Sequence, residues 1–202
     1  MKVGRAANKR LQMEEKIFEA GMSLFQEKGF KNTTLQEICE KAGVSKGTIF
    51  NYFSSKEDIL AKYGRNSLKR LRIFAKNLPP SMNTKEKIIA VLMEDIRGVK
   101  ESEVFAKVAL KGIAEGGELI SKLEGKNRQE LSSIYESILI NGIKSSTDSH
   151  EINTALIADL IVAIYFHVLE SQYVTENSIF DCEEYIKSAV DMFFNGIKDH
   201  FN

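Results

Sequence analysis

Pro79 and Pro80 are the only prolines in a chain of 202 residues, and they are adjacent. Proline removes a backbone donor and breaks helices, so a chain that carries it at one point is free to run helical on either side. No stretch of useful length alternates apolar with polar residues as a half-buried strand would. Apolar residues recur instead at helical intervals, and the spacing predicts an all-α fold of about nine helices. A first helix is expected over about 8–28, with Leu11, Ile17, Ala20, Leu24 and Phe25 inward. A long one starts at Ser54 or Ser55 and runs to about Asn77, carrying Ile59, Leu60 and Tyr63, then Leu68, Leu71 and Phe74. The prolines end it, Ser81–Asn83 links, and further helices are expected over 84–98, 102–114, 118–144, 151–173 and 182–200. Gly116-Gly117 reads as an interhelical turn.

Between Asn32 and Asp58 the chain reads NTTLQEICEKAGVSKGTIFNYFSSKED. Thr34 followed by Glu37 has the spacing of a capping box, and Ile38, Cys39 and Ala42 then fall along one buried side. Gly43 can take a left-handed conformation, so the chain can leave this helix and turn at once. Ser45 is placed to cap a second short helix, whose inner side carries Ile49 and Phe53. Its outer face is left with Lys46, Gly47, Thr48, Asn51 and Tyr52, small, basic and hydrogen-bonding, as a helix lying in the major groove requires.

The run from Lys16 to Leu60, with IFEAGMSLFQEKGF leading into TTLQEICEKAGVSKGTIFNYFSSKEDIL, resembles the N-terminal domain of TetR-type (TetR/AcrR) transcriptional regulators. The resemblance implies a three-helix helix-turn-helix DNA-binding domain over 1–54. It also implies a larger helical effector-binding and dimerisation domain over 55–202, with the helix over 55–77 connecting the two. The last two helices, apolar over wide arcs, are then expected to pair with their copies in a homodimer that reads an inverted-repeat operator in double-stranded DNA. One position departs from the family. Phe50 stands where Tyr is usual, so a hydroxyl that commonly reaches a backbone phosphate is missing, and Tyr52 is placed to substitute.

Each DNA candidate has a stated chemistry. Lys46 and Thr48 lie in the first turn of the recognition helix, Gly47 lets the backbone approach closely, and the Thr48 methyl suits a thymine C5-methyl. Asn51 can pair bidentately with adenine, and Gln36 is a further base-contact candidate from the preceding helix. Thr34, Ser45, Tyr52 and Lys56 are better placed for phosphates. The segment Lys2–Arg10 is expected to be either an arm, disordered when free and following a groove when bound, or an ordinary flexible terminus.

The rest of the chain is expected to take an input. Met93, Phe105, Tyr135, Tyr165, Phe166 and His167 suit a mostly apolar pocket with a few orienting groups, although each also reads as plain core. A small, largely hydrophobic effector that prefers the conformation unfit for the operator would release a repressor by population shift. The alternative is a partner-regulated or architectural DNA-binding protein of the same fold with no small-molecule effector.

Composition bounds the remaining classes. Residues 1–78 hold 16 Lys+Arg against 8 Asp+Glu and the remainder 12 against 20, so a chain of zero net charge has a basic front and an acidic back. Cys39 and Cys182 form no disulfide framework, and a reducing cytoplasm is the expected compartment. No export signal is read in the first fifteen residues, and 155–169, interrupted by Asp159 and His167, is read as too short to span a bilayer. His150, His167 and His200 make no metal pattern with the cysteines, and no phosphate loop or nucleophile elbow occurs; no enzyme activity, metal or cofactor is expected.

Overall fold

The computed structural model describes residues 5–143, 153–174 and 181–200. Among them are nine α-helices and no strand: α1 (Arg5–Lys28), α2 (Leu35–Ala42), α3 (Lys46–Phe50), α4 (Lys56–Lys76), α5 (Thr84–Glu101), α6 (Glu103–Glu115), α7 (Glu118–Ile143), α8 (Thr154–Tyr173) and α9 (Cys182–His200). The fold is all-α, as the spacing predicts. Asn153 caps α8, its side chain accepting from the Leu156 N–H at 3.0 Å. Glu151, Ile152, Lys144, His150 and the side chain of Ile197 lie outside what is described.

The chain divides into two compact units, Met1–Arg65 with Glu103–Gly125, and Asn66–Ser102 with Lys126–Asn202. The segment read as the DNA-binding domain, 1–54, lies wholly in the first, which also takes the first part of α4 and all of α6.

The first unit closes around one apolar cluster. Ile17, Phe18, Met22 and Phe25 of α1 meet Ile38 of α2, Ile49 of α3, Phe53, and Ile59 and Leu60 of α4. The Phe18 and Phe105 rings stand edge to face with centroids 6.0 Å apart, which fixes α6 on α1. Losing a buried ring such as Phe18 costs about 3–5 kcal/mol, so this cluster sets the stability of the unit. Two expectations for α1 are corrected. Leu11, expected inward, is 52% exposed. The helix also starts at Arg5, so Arg5–Arg10 is helix and not an arm, with Ala6 and Ala7 favouring that conformation; residues 1–4 lie outside the description.

In the second unit α5 and α8 each pack on α9. Helix α8 runs 20 residues and is long and apolar enough to cross a membrane by length and composition, so the expectation that this segment is too short does not hold. Its Ile157, Ala158, Ile161, Tyr165 and Val168 are buried, and the core helix of a folded domain passes the same test. Leu156 and Leu160 on the same helix are 54% and 43% exposed, and Met192 on α9 is 74% exposed.

Candidate nucleic-acid interface

The local chemistry that builds α2 and α3 uses the residues read from the sequence. Thr34 and Glu37 form a reciprocal capping box: the Glu37 N–H donates to Thr34 Oγ1 at 3.3 Å and the Thr34 N–H donates to Glu37 Oε2 at 2.8 Å. Gly43 then takes φ +62°, where an L side chain is strained, and the turn is closed by Gly43 N–H to Glu40 O at 3.1 Å and Val44 N–H to Cys39 O at 2.9 Å. Ser45 caps α3, accepting from the Thr48 N–H at 3.1 Å, and the two hydroxyls lie 2.9 Å apart. The Lys28 ammonium, at the end of α1, donates to Glu37 and holds that carboxyl at about 2; the Thr34 N–H and hydroxyl add to the lowering.

Lys46, Gly47 and Asn51 are exposed and Thr48 is half-buried, all on or beside a helix of five residues. Gln36 is exposed and its amide donates to Glu40 at 2.9 Å. Phe50, the residue without the hydroxyl, is 57% exposed. Tyr52 is half-buried, and the Arg10 guanidinium stands over its ring at 5.9 Å. Ala6, Lys9, Arg10 and Met13 of α1 line one cleft with Asn51 and Tyr52, so the start of α1 is brought beside the end of the recognition helix. Lys9 and Arg10, expected within an arm or flexible terminus, stand instead on the first turns of α1.

Lys56 is the clearest departure from expectation. Its ammonium, expected on a phosphate, donates to Phe30 O and Thr33 O at 2.9 Å each and stands 4.5 Å from the Phe30 ring centroid. It ties the start of α4 to the loop between α1 and α2.

Of the effector candidates, Phe105 lies in the first unit and the other five in the second. Tyr135 and Tyr165 are buried, Met93 and Phe166 are half-buried, and His167 is exposed. The Phe166 ring carries the Arg128 guanidinium at 3.8 Å and meets Tyr165 edge to face. Tyr135 and Tyr165 share a buried polar cluster that sequence reading missed. At its centre Asp95 accepts from the Ser67 and Tyr165 hydroxyls and pairs with Arg70 at 3.3 Å. Arg70 also lies 3.6 Å from Glu94, which Arg97 grips with Nε at 3.1 Å and Nη2 at 2.7 Å. Gly98 makes room for this, since a Cβ there would meet the Arg70 guanidinium. Burial raises the Asp95 carboxyl above the usual range against the lowering effect of Ser67, Tyr165 and Arg70. Burial and the nearby Asp95 charge push the Tyr135 phenol well above its ordinary value. The Tyr135 hydroxyl is buried with no hydrogen-bond partner. The signal was present in the sequence: Glu94-Asp95 interrupts an inward stripe of Ile88, Val91, Leu92 and Ile96.

Residues 17–63 match the family model for bacterial regulatory proteins of the tetR family. That segment is a tetR-family domain. Among curated relatives, the uncharacterized HTH-type transcriptional regulator YerO of Bacillus subtilis is 26% identical over 162 residues, 77% of this chain and 55% of the relative. The chain therefore spans about half the length of that relative. The fatty acid metabolism regulator protein of Bacillus subtilis is 22% identical over 183 residues, 90% of this chain and 93% of the relative. The fold is shared with FadR from Bacillus subtilis, solved in complex with stearoyl-CoA (TM-score 0.70, 20% identity, 88% of this chain and 96% of that one). The shared fold thus extends well beyond the segment that carries the motif.

Proposed function

We propose that this protein is a sequence-specific DNA-binding transcriptional repressor, a homodimer that occupies an inverted-repeat operator and leaves it when a small, largely hydrophobic molecule binds. The observation that carries the DNA reading is the capped helix-turn-helix. The Thr34 and Ser45 hydroxyls and Gly43 fix α2 and α3, and Lys46, Gly47 and Asn51 are left exposed together at the second helix. Thr48 and Asn51 read base edges, with Gln36 beside them, while Lys46, Tyr52 and the capping hydroxyls meet phosphates. Lys56 acts on DNA through the loop it holds.

Dimerisation is assigned to α8 and α9. Leu156 and Leu160 lie one turn apart on α8, and Tyr185 and Met192 stand out from α9, so a second copy is the natural cover for both. The cytoplasm, where the operator is, is the compartment. The effector reading rests on the interior of the second unit. A buried phenol with no partner, beside a buried carboxylate, favours a ligand that brings a hydrogen-bonding group on an apolar body. FadR from Bacillus subtilis holds stearoyl-CoA, and a long-chain acyl-CoA is the first compound class to try. Tyr135, Tyr165, Met93 and Phe166 belong to the unit that would receive it. The ligand acts by preferring the conformation whose recognition helices do not fit the operator.

The test is selection of bound sequences from random duplex DNA, followed by titration of acyl-CoAs of graded chain length into the selected complex. A palindromic consensus, released by one chain-length class, is the expected result. A consensus that no acyl-CoA releases removes the effector class, and no enrichment at all removes the operator.

A further inference from the structure

Arg72 and Lys76, one turn apart on α4, and Lys87 on α5 border a cleft of about 790 Å³ whose floor is formed by Leu78, Ile134 and Ile138. We propose that this cleft receives the phosphate groups of a coenzyme A thioester. The inference rests on the effector reading above and deepens it by placing the charged end of the ligand.

The charge in this cleft is not the ambient charge of its surroundings. The second unit carries 13 Lys+Arg against 16 Asp+Glu and is acidic as a whole. Several of its cations are already answered: Arg70 by Asp95, Lys85 by Asp191, Arg97 by Glu94, Lys100 by Glu183, Arg128 by Glu170 and Lys187 by Glu183. Arg72 is shared with Glu130 at 2.6 Å. Lys76 and Lys87 make no ion pair among the described residues, and no carboxylate lines the cleft. Two unpaired ammonium groups from different helices, with a guanidinium beside them, form a receptor for an anion.

The form of the anion follows from the other lining groups. The Ser133 and Ser137 hydroxyls donate back to their own helix, to Glu130 O at 2.7 Å and Ile134 O at 2.8 Å, so they are not spare donors for a ligand. That leaves the three cations and the Asn141 amide to meet charge, above an apolar floor. Cations contributed by two different helices match several phosphates spread along one molecule better than a single carboxylate. The apolar floor favours an amphiphile over free phosphate. A coenzyme A thioester has both properties, whereas the corresponding free fatty acid has only the second.

The experiment is isothermal titration of the full-length protein with a long-chain acyl-CoA, with coenzyme A and with the matching free fatty acid. Each is run on the native protein, on a Lys76→Glu/Lys87→Glu variant and on a Lys76→Arg/Lys87→Arg variant. Lys76 is exposed, Lys87 is half-buried, and neither makes an ion pair among the described residues, so both variants should fold, which thermal melts check. The expected result is acyl-CoA binding at least tenfold weaker in the Glu variant, preserved in the Arg variant, and weakened by salt only where the cations remain. Fatty acid affinity should be the same in all three proteins. Equal acyl-CoA affinity in the native and Glu proteins would overturn the cleft assignment while leaving the effector class standing. Failure of the native protein to bind acyl-CoA at all would overturn both.

Discussion

In the first unit the buried polar groups are answered by their neighbours; in the second a charged cluster sits inside and one hydroxyl within it is unanswered. Thr33 donates to Gly29 O at 2.9 Å, and buried Lys62 reaches Glu14 at 3.0 Å and Glu15 at 3.1 Å while lying over the Phe18 ring. Around them the core is apolar, and Thr34 and Ser45 cap α2 and α3. The second unit buries Asp95 and Glu94, pairs both with the half-exposed Arg70 guanidinium, and leaves the Tyr135 phenol with no partner. An unmade buried hydrogen bond costs about 1–3 kcal/mol, a cost that, on the function proposed above, a receptor would recover on binding its ligand. The contrast is between a unit whose buried polar groups are paired and one that leaves a buried hydroxyl unpaired.

The largest effect should come from breaking the interior cluster. Asp95→Ala strips the Ser67 and Tyr165 hydroxyls of their buried acceptor and leaves the half-exposed Arg70 with Glu94 alone, and urea unfolding should show a loss of about 2–4 kcal/mol. A loss under about 1 kcal/mol would mean that the cluster is hydrated and the contrast between units is false. Next is Lys56→Met, which removes a charged donor from Phe30 O and Thr33 O. About 2 kcal/mol of stability should go with it, and affinity should fall for every DNA sequence alike. If the only change were a smaller salt slope at unchanged stability, Lys56 would be a phosphate contact and not a clasp.

Thr34→Ala should cost about 1 kcal/mol through loss of the capping box, and a thermal melt reads it directly. A pH titration sharpens the same corner. Glu37 has a folded-state value of about 2 against an ordinary 4.5, lowered first by Lys28 and then by Thr34. Its contribution is therefore complete above the ordinary value and is lost as pH falls from there towards 2. Glu37→Gln should flatten that part of the acid-stability curve, and an unchanged curve would show that the contact with Lys28 does not persist in solution. The smallest change in stability should be Tyr135→Phe, neutral or stabilising by up to about 1 kcal/mol, because it removes an unpaired hydroxyl. The same variant should lose response to effector, and a fully responsive variant would take Tyr135 out of the site.

What could be read in the sequence depended on whether the signal was local. The caps at Thr34 and Ser45, the turn at Gly43 and the buried pair Ile49 and Phe53 are set by neighbours within four residues, and each sits in the structure where the pattern put it. Lys56 reaches back more than twenty residues to its carbonyls, so spacing could not show that its ammonium was already engaged. Phe105 fits the inner stripe of any helix, and only tertiary structure assigns it to the unit of Phe18 and not to that of Tyr135. Asp95 was missed for the opposite reason. A carboxylate in a helix reads as solvated unless its partners are known, and Ser67, Arg70 and Tyr165 come from two other helices. Leu11 reads as inward by periodicity, but the early start of α1 leaves it on a turn beyond the apolar cluster.

The most direct test is a fluorescence anisotropy titration of the native protein and Thr48→Ala against a selected palindromic duplex and an unrelated duplex, at several salt concentrations. The account predicts that the native protein prefers the palindrome by roughly a thousandfold or more. It also predicts that Thr48→Ala narrows that ratio at an unchanged salt slope, because base reading is lost while phosphate contacts stay. Equal affinity of the native protein for both duplexes, or an unaltered preference in the variant, would contradict the assignment of α2 and α3 as the reader of sequence.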